Sequence, residues 1–377
     1  MSKPARSASP VVDPLRQTVA DITDRLVASG MRYDAAPLFP RESVDAVVGA
    51  GLHRVFAPPQ SGGIAFADAY AENAALLDVL RGIGRADLSL GRLFEGHVNA
   101  LKLFDWYGSA EQKSWLGQRL QEGKLFGVWA TEPPPGVTLV GKAGEGSRLE
   151  GLKAFASGAG GLSYAVVTAR REDGRTQLVV APADESARAD LSMWRVRGMR
   201  ATGSGSYDLS GIACSPLQLL GQPDDYAIEP RFTAGAWRFT AVHLGGIEAL
   251  LAETRRSLSE AARADPLQRL KFAEAVVAAR TAYLWVREAA QRAAIDSPDA
   301  PAFARMTRGV VERAGLDVME LAARMIGTRS AFDGQRIDKI IRDLSLYLRQ
   351  AGPDHARDQA ALAWLDHDVW GEGDELW

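Results

Sequence analysis

Cysteine is almost absent from this chain. One residue, Cys214, among 377 excludes an intrachain disulfide framework and suits a reducing compartment. It sits in Ile212-Ala213-Cys214-Ser215-Pro216, at the end of a strand-like run. There it reads as a small buried hydrophobe rather than a catalytic thiol. No stretch reaches the ~18 consecutive apolar residues of a membrane span, so no membrane partner is expected. Residues 1–12 lack the apolar segment of a secretory signal. Their Ser, Pro and Ala content reads as a disordered tail, and the cytoplasm is the expected compartment. An excess of one charge is missing too. The 44 Lys and Arg against 47 Asp and Glu leave a net charge of -3, and the basic residues are scattered. A nucleic-acid binder would show a clustered basic face; no nucleic-acid partner and no metal site are expected.

What is present is a soluble-protein composition, 46% hydrophobic and 24% charged, on a chain long enough for two or three packed layers or domains. Apolar residues recur at helical spacing from Asp13 to about Leu120, beginning with Leu15, Val19, Ile22 and Leu26. Ala86–Phe104 is an apolar helix that carries Glu95, His97 and Asn99. Ser109 with Gln112 three residues on forms a capping box for the helix Ala110–Gln121. After Gly123 the period changes. Phe126–Ala130, Arg148–Ala156, Tyr164–Arg170, Gln177–Ala181, Met193–Val196 and Ser206–Ile212 are short strand-like runs separated by Gly, Pro and Asp-Gly turns. From Arg231 long Ala- and Arg-rich helical runs return, joined by short Pro-bearing connections that imply an antiparallel bundle. The fold class is therefore α+β, with an N-terminal helical domain (13–124), a middle β-barrel-like domain (125–226) and a C-terminal four-helix bundle (227–377). Helices followed by strands and then helices argue against alternating βαβ units.

Several local patterns in this order resemble one family, the FAD-dependent acyl-CoA dehydrogenases and their relatives. They are Gly51-Leu52…Pro58…Gly62-Gly63, the Gly108-Ser109-Ala110-Glu111-Gln112-Lys113 helix start, Thr131-Glu132-Pro133, Leu149-Glu150-Gly151-Leu152-Lys153 with Ser157-Gly158-Ala159, Gly198–Ser204, and Arg342-Asp343. The resemblance implies a flavin cradle. Main-chain groups of Trp129 and Ala130, the Thr131 hydroxyl, the Phe155 ring and Ser157 would hold the isoalloxazine, which needs hydrogen bonds at its edge and one shielded face. Gly136 would let a phosphate approach the backbone, although Val137 replaces the serine usual in the family. Arg256, at the end of the first long C-terminal helix, would reach the FAD phosphates of a neighbouring subunit. FAD is the expected cofactor, ahead of FMN, and a homodimer or homotetramer through the bundle is the expected assembly.

The chemistry is less complete. A dehydrogenase acting on the α,β C–C bond of an acyl-CoA or acyl-thioester needs a carboxylate base. Neither Leu346–Gly352 nor Thr233–Thr240, the two places where the family keeps it, contains one. The main expectation is still an acyl-CoA dehydrogenase-like enzyme with a displaced base, acting on a small molecule or CoA thioester. The alternatives are a reduced-flavin monooxygenase of the same superfamily, with His97 and Ser157 as its catalytic pair, and a non-catalytic flavin-fold scaffold. Asn99, Trp237 and Arg349 are the expected substrate-pocket residues.

Overall fold

The structure is a computed structural model and describes residues 12–141, 146–350 and 352–365. The expected tail lies outside these residues apart from Val12, which already opens the first helix. Five helices come first: α1 (Val12–Ala35), α2 (Arg41–Gly49), α3 (Ala69–Ala86), α4 (Leu88–Tyr107) and α5 (Ala110–Gln121). Their starts are set by side chains that accept from otherwise orphaned backbone N–H groups. Asp68 caps α3, Asp87 caps α4, and Ser109 with Gln112 closes the capping box of α5. α4 is the central helix, buried along most of its length between α3, the strands and the C-terminal helices.

The middle of the chain is a curled mixed sheet with a small second sheet beside it. The strands are β1 (Phe126–Trp129), β2 (Thr138–Val140), β3 (Ser147–Glu150), β4 (Leu152–Ala156), β5 (Tyr164–Arg170), β6 (Thr176–Pro182), β7 (Ala189–Asp190), β8 (Gly205–Asp208), β9 (Ala213–Cys214) and β10 (Leu219–Leu220). Among the described residues the larger sheet runs β10-β6-β5-β2-β3-β9, with β1 parallel to β5 and Phe126 opposite Tyr164. The smaller runs β4-β8-β7. The single run expected over Arg148–Ala156 is divided at Gly151, whose φ of +112 turns the chain from one sheet to the other. A Cβ there would lie 2.6 Å from the Gly136 carbonyl, so only glycine fits. Met193–Val196 is not a strand: the Trp194 indole donates to the Met199 carbonyl at 3.0 Å and ties the segment into a loop.

The remaining helices are α6 (Arg231–Ala234), α7 (Trp237–Ser257), α8 (Glu260–Ala264), α9 (Pro266–Ala294), α10 (Ala300–Ile326), α11 (Arg336–Tyr347) and α12 (Pro353–Leu365). α7 runs through the centre of this group and packs on α3, α9 and α10. Its Gly245 marks a close helix crossing, because a Cβ there would meet the Arg81 carbonyl at 2.2 Å. The Arg342-Asp343 pair ties the regions together. Arg342 pairs with Asp34 of α1 at 2.7 Å and donates to the Arg197 carbonyl at 2.6 Å. Asp343 accepts from the Met199 amide at 2.5 Å and from Lys339, which also binds Asp87 at 2.7 Å. The motif thus ties α1, the start of α4 and the strand region to α11. It also fixes the Gly198–Ser204 turn against α11.

Candidate functional site

Between the strand region and the C-terminal helices lies a cleft with two lobes. One, of about 390 Å³, is lined by Thr131, Phe155, Ser157, Trp194, Met199, Thr202, Ser204, Tyr347 and Arg349, among others. The other, of about 450 Å³, lies between α4, α6, α7 and α10. Arg92, Thr131, Phe155 and Gln350 line both, so the two lobes meet.

The first lobe has the features of a planar-ring cradle. Phe155 sits at φ +52, a backbone region that side chains other than glycine rarely adopt, and is 69% exposed. A large ring held outward by a strained backbone is the kind of outlier that functional sites carry. Ser157 follows two residues later. The Trp129 indole donates to the Ser157 carbonyl at 3.1 Å and fixes the strand end. The Ser157 hydroxyl lies 3.0 Å from Ser204 Oγ, which lies 2.9 Å from Thr202 Oγ1, and Thr202 donates to the Met199 carbonyl at 2.9 Å. Each hydroxyl has one proton. Thr202 spends its proton on the carbonyl, so Ser204 must donate to Thr202 and Ser157 to Ser204. Ser157 is left presenting lone pairs to the lobe, as an acceptor for a ligand N–H.

The second lobe draws on one stripe of α4. Arg92, Glu95, Asn99 and Leu103 line it at a spacing of three or four, the recurrence of one helical face. Glu95 is 2% exposed. Its carboxylate accepts from Arg92 at 2.5 Å and from Asn99, and Asn99 in turn accepts from Arg238 Nε at 2.5 Å. Trp106, Tyr226, Phe232 and Phe239 supply flat apolar wall. Glu95 is the sole carboxylate among the described residues lining either lobe, and both its oxygens are engaged.

The structure brings Trp129, Ala130, Thr131, Phe155, Ser157, Asn99 and Arg349 to this cleft. Arg349 lies in the first lobe and Asn99 in the second. It does not bring the others. His97 lies two residues from Glu95 and from Asn99, about 200° around the helix from each, and so faces the opposite way. It is fully buried. One ring nitrogen contacts the His53 carbonyl at 2.6 Å, and the other accepts from the Phe126 amide at 3.1 Å. With both nitrogens used, burial pushes it down to about 4; it is a neutral packing histidine joining α4 to β1. Trp237 is fully buried in the core for the same reason of phase: its neighbours Ala236, Arg238 and Phe239 face the cavity instead. Gly136 and Val137 do not line the cleft. Val137 is buried in the sheet, and the open side of Gly136 is filled by the Glu132 carboxylate, 2.5 Å from where a Cβ would sit. Glu132 is itself held by Lys153. Arg256 is an exposed side chain that pairs with Glu253 at 3.0 Å. Residues that sequence reasoning passed over are Arg92, Arg238 and Arg308. The available signal was polar residues spaced three and four apart on a helix otherwise apolar enough to be buried.

Residues 226–357 match the family model for the acyl-CoA dehydrogenase C-terminal domain. FMN-bound TdsC from Paenibacillus sp. A11-2 superposes with a TM-score of 0.84 at 21% identity, covering 94% of this chain and 98% of that one. The fold is that of the acyl-CoA dehydrogenase-like proteins, and the C-terminal part of the chain matches that family's model. Two of the relatives are oxygenases by name. A dibenzothiophene monooxygenase from Mycolicibacterium goodii is 26% identical over 377 aligned positions, 88% of each chain. The methanesulfinate monooxygenase MsuC from Pseudomonas fluorescens superposes with a TM-score of 0.75 at 20% identity, covering 96% and 98%. These likenesses support a flavin-dependent oxidoreductase. They overturn the expectation of acyl-CoA oxidation, and the cleft agrees: the one carboxylate lining it among the described residues has its oxygens engaged by Arg92 and Asn99. No helix among the described residues is long and apolar enough to cross a membrane.

Proposed function

We propose that the protein is a reduced-flavin-dependent monooxygenase acting on a small molecule. The carrying observation is a flavin-type cradle that opens directly onto a second lobe whose one carboxylate among the described residues is already engaged. Two relatives whose names specify oxygenation of sulfur compounds support the same reading. The residues of the first lobe fit a flavin ring. Phe155 and Trp194 offer apolar faces, Thr131 a hydroxyl, and Ser157 a fixed acceptor. A bound reduced flavin supplies the two electrons that, with one dioxygen, place one oxygen atom on the substrate and release the other as water. Ser157 orients the ring edge through its lone pairs. Tyr347, fully enclosed at this lobe, is held protonated by burial.

FMN is the flavin we assign. The loop expected to accept the second phosphate of FAD closes on its own Glu132–Lys153 pair with the Glu132 carboxylate against Gly136, and the TdsC structure that superposes on this chain is FMN-bound. FMN should therefore bind the apoprotein about ten-fold or more tighter than FAD, a gap of about 1.4 kcal/mol. We also place self-association on the outer face of the bundle, where Leu270, Val277 and Met306 line an apolar hollow of about 1380 Å³ that shares no residue with the cleft.

The test of the function uses FMN-loaded protein, a separate flavin reductase and a panel of sulfides, sulfinates and indoles. Oxygen uptake matched to product supports the reading. Bleaching of the 450 nm flavin band by acyl-CoAs without oxygen sinks it. Ser157→Ala should weaken FMN binding and slow turnover; an unchanged enzyme would move the flavin elsewhere.

A further inference from the structure

Arginine dominates the second lobe. Arg92, Arg231, Arg238, Arg305 and Arg308 line it, against Glu95 alone. Arg92 is bonded to Glu95, Arg231 is paired with Asp296 at 3.0 Å, and Arg305 rests on the Thr233 hydroxyl at 3.5 Å. Arg238 and Arg308 have no ion-pair partner among the described residues. Arg238 is 8% exposed; its Nε donates to Asn99, and its two terminal nitrogens have no acceptor there. Arg308 is 1% exposed. Its Nε and Nη2 donate to the Gln350 and Leu348 carbonyls, while its Nη1 is buried with no partner.

Burying a cation without a counter-ion costs several kcal/mol. Burial lowers both guanidinium groups to about 10, so both stay charged at neutral pH. Aromatic faces offset part of the cost: Arg308 lies over Phe239 at 5.6 Å and Arg238 over Trp106 at 5.9 Å. Glu95 and Glu72 act on Arg238, and Glu312 on Arg308, only from beyond ion-pair distance; what these two groups lack is an anion in contact. The same wall offers flat apolar surface from Trp106, Phe232 and Phe239, and a chamber of this size suits a small planar molecule.

We propose that the second lobe selects substrates with a flat apolar body and one oxyanion head, a carboxylate or a sulfur oxyanion, which Arg238 and Arg308 receive. A two-oxygen anion matches the forked donors of guanidinium. This rests on the lobe being the substrate side of a flavin enzyme, but its test needs no turnover.

The experiment is calorimetric titration of the oxidised FMN-loaded protein with benzoate, benzenesulfinate and the neutral isostere benzamide. Both anions should bind about ten-fold or more tighter than benzamide. Arg238→Met should remove about ten-fold of the anion affinity and leave benzamide and FMN affinities within about two-fold. Arg238→Lys should recover most of the loss. Equal affinity for benzoate and benzamide in the unmutated protein overturns the proposal, whatever the variants do. So does an Arg238→Met defect confined to FMN, which assigns the guanidinium to the flavin phosphate. If the anion preference holds but no oxygen-dependent product forms, the monooxygenase reading fails and this inference stands. If neutral substrates are oxygenated and no anion preference is measured, this inference fails and the monooxygenase reading stands.

Discussion

Where the two lobes meet, at Thr131 and Phe155, the lining changes character. On the strand side it is made of hydroxyls whose hydrogen bonds close among themselves: Ser157 to Ser204, Ser204 to Thr202, Thr202 to the Met199 carbonyl. On the helix side it is made of guanidinium groups whose charge does not close. The hydroxyl chain of the first lobe is closed before any ligand arrives and offers one fixed acceptor, while the Tyr347 hydroxyl beside it is buried without a partner among the described residues. The second holds two buried cations in waiting. A satisfied network sets geometry and an unsatisfied one sets affinity and choice, so the two lobes divide the work between holding a cofactor and choosing a substrate.

The comparison breaks most easily at Glu95. Glu95→Leu leaves Arg92 without its partner and Asn99 without its acceptor, inside the protein. Urea unfolding should show a loss of about 3–5 kcal/mol, the usual cost of removing one member of a buried ion pair. A loss below about 1 kcal/mol would mean that water already screens this lobe. The opposite face of α4 sharpens the contrast, because His97 is neutral there. Its folded-state value of about 4 lies below the ordinary 6.5. The unfolded chain therefore gains a proton first as the pH falls. Stability is complete above about 6.5 and is lost between there and about 4, by about 3 kcal/mol. His53 and His243, both also lowered by burial, act in the same direction. His97→Gln can keep one acceptor and one donor; it should flatten the unfolding free energy across that window, and an unchanged slope would assign the proton to another group. The smallest effect belongs to the hydroxyl lobe. Ser204→Ala frees the Ser157 proton, so Ser157 is no longer an obligate acceptor. FMN affinity should shift by about five-fold, roughly 1 kcal/mol, with little change in the melting temperature.

The fold was legible because its signals are local. The change of period after Gly123, the capping box at Ser109 and the Pro-bearing helix connections each depend on a few neighbouring residues. The flavin-side residues were legible for a related reason: Thr131, Phe155 and Ser157 belong to neighbouring motifs, and all three line the first lobe, although a bulge at Phe155 rather than regular strand alternation brings Phe155 and Ser157 there. The substrate lobe was not. Arg92, Arg238 and Arg308 come from three helices, and no spacing within the chain brings them together. His97 and Trp237 misled for one reason. Each is a chemically suggestive residue on a lining helix, and only its phase about that helix, fixed by tertiary packing, shows that it faces away. Gly136 was misread because its open side is filled by Glu132, a contact made across its own loop. The acyl-CoA expectation followed the family's commonest chemistry, although the missing carboxylate in Leu346–Gly352 already spoke against it.

Monooxygenation requires that an oxygen atom from dioxygen reach the substrate. Protein loaded with FMN and reduced without air is mixed with ¹⁸O₂ and, separately, benzenesulfinate, dibenzothiophene or indole, and the products are weighed by mass spectrometry. One labelled oxygen in a product, formed only in the presence of the protein, is the expected result. Unlabelled products throughout, together with anaerobic bleaching of the flavin by an acyl-CoA, would contradict a monooxygenase.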